Sequence, residues 1–107
     1  SQERINAFAD LTEDCQPIHL DPDAGRAAGF GGTVAHGFLT LSMLSLMSYQ
    51  VLPKLEGETA SINYGFDRIQ FIAPVPGDAR IRRKLHGLRL APMGRECGRR
   101  GYRRRRV

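Results

Sequence analysis

Phe38-Leu39-Thr40-Leu41-Ser42-Met43-Leu44-Ser45-Leu46-Met47-Ser48-Tyr49-Gln50-Val51-Leu52 is apolar on nearly every face. Its large apolar residues are separated mainly by serine and threonine, so a helix over this run has no polar side to offer water and must be wrapped by other elements. Pro53 and Gly57 end it. The hydroxyl, tyrosine and glutamine interruptions make the run too short and too polar to span a bilayer, and no charged start precedes an apolar run near residue 1. Neither a signal peptide nor a membrane anchor is expected.

Working outward, Ile5, Phe8, Ala9 and Leu11 fall at helical spacing between Gln2 and Leu11, which predicts an amphipathic helix that stops by Glu13. Asp14 to Phe30 is rich in Asp, Pro, Gly and Ala, and reads as an ordered loop with a short helix at Asp23 to Ala28. Downstream of the greasy run, Ile62, Tyr64 and Phe66 share one parity and Ile69 and Phe71 the other, so a strand with a bulge near Asp67-Arg68 is expected. Pro74-Val75-Pro76-Gly77-Asp78 reads as a turn, and Ala79 to Leu85 as the start of another strand. Beyond Leu85 the pattern decays.

The chain has 107 residues and a formal charge of +5, but the charge is unevenly placed. Residues 1–79 hold 4 basic and 10 acidic side chains, a net of −6, whereas residues 80–107 hold 12 basic and 1 acidic, a net of +11. The basic character belongs to the tail. Cys15 and Cys97 match neither a disulfide framework nor a zinc site, so a reducing compartment, the cytoplasm, is expected.

Two segments before the long helix carry chemistry. Asp14-Cys15-Gln16-Pro17-Ile18-His19 sets a carboxylate and an imidazole around a proline; on a regular helix the two would diverge by roughly 140°, but a bend at Pro17 lets both converge on one water. Such a pair can remove and return protons, worth ~10²–10⁴ in rate. The competing readings are that Asp14 caps a turn and His19 is a structural histidine, or that Asp14, His19 and His36 bind a metal; spacing alone does not decide. The second segment, Gly31-Gly32-Thr33-Val34-Ala35-His36-Gly37, places backbone N–H donors at the helix start, where they can hold an oxyanion or serve merely as a tight entry to the core. Ser45 is one of four serines and threonines on the helix, and such residues usually bond back to the helix backbone.

Taken together, Phe8-Ala9-Asp10, Asp14-x-Gln16-Pro17-Ile18-His19-x-Asp21-Pro22, Phe30-Gly31-Gly32-Thr33-Val34-Ala35-His36-Gly37-Phe38-Leu39, Asn63-Tyr64-Gly65 through Phe71, and Pro74-Val75-Pro76 resemble the MaoC-like dehydratases, namely the (R)-specific enoyl-CoA hydratases and their nodulation-protein-N-like relatives. The resemblance covers about residues 2–82. It implies an α+β hot-dog fold over residues 1–85, an antiparallel sheet wrapped around the long apolar helix. It also implies a homodimer, an acyl-CoA thioester substrate and no cofactor or metal. The activity implied is hydration of trans-2-enoyl-CoA to (R)-3-hydroxyacyl-CoA, or the reverse dehydration. Asp14 and His19 fall on the catalytic pair, Gly37 on the oxyanion donor and Ser45 on a serine lining the site; His36 and Gly32, in the same glycine-flanked segment, are expected to bind substrate beside Gly37. A hot-dog thioesterase or acyl-thioester-binding protein is the alternative.

The match departs at both ends. The strand and turn that usually precede the helix at residue 2 are absent, so a sheet short by one strand is expected. After Arg82 the apolar alternation gives way to Arg/Gly-rich sequence, and charge and pattern change together, as a reading-frame change would cause. Residues 86–107 are therefore read as a basic tail. A nucleic-acid-binding module is the less favoured reading of it, because Tyr102 is its only aromatic residue.

Overall fold

A computed structural model of the chain describes residues 1–53, 56–63 and 65–86. Tyr64, Cys97 and the basic tail beyond His86 lie outside the described residues.

Helix α1 spans Gln2–Thr12 and closes at Glu13, which adopts the left-handed conformation at φ 61°. It buries Ile5 and Ala9, one turn apart, and half-buries Phe8. Leu11, expected on the same face, is instead 83% exposed, because two residues past Ala9 the helix has turned roughly 200°.

The two prolines start helices rather than merely bending the chain. Pro17 opens α2 (Pro17–Leu20) and Pro22 opens α3 (Pro22–Ala27), each at a position whose N–H would lack a partner anyway. Gln16 and Asp21 before them are extended, as a following proline requires. Asp21 serves both helices: its N–H donates to the Pro17 carbonyl, and its side chain accepts from the Asp23 N–H at 2.8 Å. The sequence reading had no α2, and its Asp23 to Ala28 helix begins one residue earlier.

Strand β1 (Val34–Ala35) pairs antiparallel with β2 (Val75–Pro76), Val34 opposite Pro76 and Ala35 opposite Val75. The Gly77 N–H extends the ladder to the Thr33 carbonyl at 2.7 Å. Val75-Pro76 was read as part of a turn; the turn follows it, with Asp78 at φ 60°.

The greasy run forms α4 (Gly37–Ser42) and α5 (Leu44–Tyr49). The backbone track runs through the joint, since the Met43 N–H donates to Leu39 and the Met47 N–H to Met43. Neither helix holds a fully buried residue, and Phe38 is 67% exposed. The expected wrapping is thus not seen among the described residues. Residues 60–72 and 79–85, read as strands, carry none there. Alternation fixes which side chains share a face, but a strand forms only where a neighbour exchanges N–H and C=O bonds with it.

Among the described residues the buried hydrophobic side chains are Ile5, Ala9 and Val34, and the buried polar ones are His19 and His36, with His19 bonded to Val34 and His36 beside Phe8. The core and the candidate site are the same place.

Candidate active site

His19 sits on α2, 8% exposed, and its Nδ1 lies 2.6 Å from the Val34 carbonyl oxygen. A carbonyl can only accept, so Nδ1 carries the proton of this contact and Nε2 is left free of it. His36, at the end of β1, is 2% exposed, and its Nε2–H donates to the backbone carbonyl of Asp14 at 2.9 Å. The two rings stack with centroids 3.7 Å apart and planes inclined by 28°. Phe8 of α1 flanks His36 at 5.0 Å.

One donor atom each from Asp14, His19 and His36 lies within 4.8 Å of the others. The bend therefore brings the carboxylate and the imidazole together, as the sequence suggested. The same three groups have the proximity a cation needs, so the geometry leaves the acid/base and the metal readings of the cluster side by side.

Gln2 holds the pair in place, a role no sequence signal marked. Its side-chain amide donates to the His19 carbonyl at 2.8 Å and to Asn6 at 2.8 Å, and accepts from the Thr33 hydroxyl at 2.7 Å. Its backbone N–H donates to Asp78 at 3.1 Å. One residue thereby ties α1 and α2 to Thr33 before β1 and Asp78 after β2.

Gly37 lies one residue beyond His36, and a Cβ there would meet the Phe71 ring at 3.1 Å. It lines a cleft of about 390 Å³ with Ala35, Thr40, Phe71 and Val75. A second cleft of about 230 Å³ is lined by Ile5, Leu39, Met43, Met47 and Ile81 among others. Neither of these clefts is lined by Asp14, His19 or His36. Strand alternation accounts for this: Val34 and His36 point into the core, and Ala35 points to the cleft.

Ser45 differs from its neighbours. Ser42 and Ser48 donate to helix carbonyls, whereas Ser45 pairs with Asn63, whose amide donates to its hydroxyl at 3.1 Å. At Gly32 a Cβ would meet open space; the close backbone approach is at Gly25, where a Cβ would lie 1.9 Å from the Gly32 carbonyl oxygen.

Residues 1–93 match the MaoC like domain. The chain belongs to the MaoC-like domain family. It is 52% identical over 81 residues to nodulation protein N of Rhizobium meliloti, covering 75% of this chain and 50% of that protein. It is 45% identical over 82 residues to 3-hydroxyacyl-thioester dehydratase Z of Mycobacterium tuberculosis, covering 77% and 54%. To the (R)-specific enoyl-CoA hydratase of Aeromonas caviae it is 41% identical over 49 residues, covering 46% and 37%. This MaoC-like domain thus spans about half the length of the curated relatives it matches. Membership implies the hot-dog fold, of which the described residues supply helices and a two-stranded antiparallel sheet. Hydratases and dehydratases are among the named relatives. None of the described helices of this MaoC-like domain is long and apolar enough to cross a membrane.

Proposed function

We propose that this chain hydrates trans-2-enoyl thioesters to (R)-3-hydroxyacyl thioesters, or runs the reverse dehydration, with Asp14 and His19 handling the water and the Gly37 amide facing the thioester oxygen. The observation that carries this reading is the meeting of the Asp14 carboxylate with a His19 ring whose Nδ1–H is committed to Val34. That commitment leaves Nε2 as the nitrogen free to take or give a proton.

The step balances without a cofactor. Water oxygen bonds to the third carbon as the carbon–carbon double bond shifts its electrons toward the thioester carbonyl. The water proton is held by the Asp14–His19 pair and a proton is delivered to the second carbon. Negative charge grows on the thioester oxygen, where a backbone N–H contributes about 3 kcal/mol. The cleft beside Gly37, walled by Phe71, takes the acyl chain; Ser45, which lines neither cleft, is assigned a substrate contact by the family resemblance alone. Gly32 lets the backbone approach the thioester. The assembly is a homodimer, a reading supported by the exposure of large apolar residues such as Phe38, Phe66 and Ile72; the cytoplasm is the compartment that its two cysteines, in no disulfide pattern, fit.

Hydration of crotonyl-CoA, followed by loss of the conjugated thioester absorbance, tests this. Asp14→Asn and His19→Gln are each expected to lower kcat by ~10²–10⁴ with the fold intact. A folded Asp14→Asn chain that hydrates at the unsubstituted rate removes Asp14 from the mechanism.

A further inference from the structure

We propose that His36 is a positioning residue: it fixes the backbone at Asp14 through one hydrogen bond and carries the His19 ring on its face, without touching the substrate. The proposal rests on the Asp14–His19 reading and assigns His36 a task different from the substrate contact expected of it in the sequence.

Three observations carry it. First, the ring is 2% exposed, and the cleft beside it is lined by Ala35 and Gly37 but not by His36 between them. With Nε2–H spent on the Asp14 carbonyl and Nδ1 buried, the ring offers no group to a substrate as it stands. Second, both sides of the Asp14–His19 pair rest on this one ring. Its Nε2–H holds the Asp14 carbonyl at 2.9 Å, and its face stacks on His19 at 3.7 Å. The donor can be only Nε2–H, because a carbonyl accepts, and this fixes the His36 tautomer. The two histidines therefore hold opposite tautomers, His19 protonated on Nδ1 and His36 on Nε2. Third, His36 Nδ1 is buried without a partner. An unpaired buried acceptor costs stability, and an apolar residue of similar size would avoid it. The ring's presence is explained by its other nitrogen and its flat face. A leucine supplies neither, whereas a glutamine reaches the same depth with an amide donor where Nε2 lies.

The test compares His36→Leu and His36→Gln with the unsubstituted chain in crotonyl-CoA hydration, with ring-nitrogen and carbonyl NMR on the same proteins. His36→Leu is expected to lower kcat by about 10²-fold, the effect of roughly an ångström of misplacement, with KM changed less than about threefold. His36→Gln is expected to regain at least about tenfold of that loss, since the donor returns without the ring. The unsubstituted chain is expected to show the two opposite tautomers. The Asp14 carbonyl signal should shift in His36→Leu and return toward its place in His36→Gln.

Several results overturn the proposal. They are a folded His36→Leu chain with unchanged kcat, a rise in KM alone, or a His36 ring protonated on Nδ1 in the unsubstituted chain. If the unsubstituted chain does not hydrate crotonyl-CoA, the functional reading fails, and the tautomers and the Asp14 carbonyl shift still decide the role of His36. If His36→Leu does not fold, the unsubstituted tautomers and His36→Gln decide it.

Discussion

Replacing Gly25 with alanine places a Cβ 1.9 Å from the Gly32 carbonyl oxygen and 2.5 Å from its carbonyl carbon. Both are backbone atoms, so no side chain can swing aside. Real Cβ contacts do not fall below 3.0 Å, so the loop must retreat by about 1.1 Å. Overpacking of this kind costs about 3 kcal/mol, and the helix propensity gained by losing a glycine offsets about 1 kcal/mol of it. At roughly 4–8 °C per kcal/mol for a chain near this size, the net of about 2 kcal/mol lowers Tm by about 8–16 °C. The same loop supplies two internal controls. Gly31 stands at φ +77° in open space, so Gly31→Ala carries backbone strain alone, about 1 kcal/mol. Gly32 has open space and no unusual φ, so Gly32→Ala should stay within about 0.5 kcal/mol of the parent. Thermal melts followed by circular dichroism give the order directly. Gly25→Ala melting within about 4 °C of the parent, or Gly32→Ala falling as far as Gly25→Ala, would refute the packing argument.

Other perturbations test the frame and the site. Asp21→Ala removes the side-chain cap of α3 and is expected to cost about 1 kcal/mol, read as a lower urea midpoint at unchanged slope. Gln2→Ala leaves the His19 carbonyl and the Thr33 hydroxyl without their described partner; a loss of about 1–3 kcal/mol is expected by the same assay, with a fall in kcat. Ser45→Ala breaks an exposed pair with Asn63, so Tm should hardly move, while a substrate contact there would appear as a higher KM at unchanged kcat. Zinc at micromolar excess tests the metal reading of the same cluster: under the acid/base reading it should not raise Tm through Asp14, His19 and His36. A rise that vanishes in His36→Gln would favour the metal reading.

The local structure that residue type dictates was legible in the sequence. Helix α1, its stop at Glu13 and the apolar helical run from Gly37 follow from spacing and breakers, and the structure has them. The convergence of Asp14 and His19 was legible as a possibility opened by Pro17, although Pro17 acts by starting α2 rather than by bending a loop. The ring stack was not legible. It joins residues 17 positions apart through β1, and nothing local in either histidine signals the other. Gln2 was equally silent, since glutamine on a helix reads as a solvated residue until its three partners are seen. The strands read at 60–72 show the reverse error. Alternation there is a property of side chains, whereas a ladder needs a neighbour, and among the described residues only Val34–Ala35 and Val75–Pro76 have one.

That pairing is too short to add much stability, yet it sets the phase on which the site depends. Thr33 donates its hydroxyl to Gln2 and receives the Gly77 N–H; Val34 receives the His19 Nδ1–H; Ala35 faces the cleft; His36 holds Asp14; Gly37 meets Phe71. Side chains alternate along a strand, so a slip of one residue would turn His36 to the cleft and Ala35 to the core. His19 would then lose its stacked ring and Asp14 its hydrogen bond in the same movement. Pro76 opposite Val34 and the 2.7 Å bond from Gly77 to Thr33 resist that slip from one side, and Gln2 resists it from the other. The distance between the proposed proton-handling pair and the Gly37 amide is therefore set by backbone register. Weakening the register should lower kcat before it unfolds the chain.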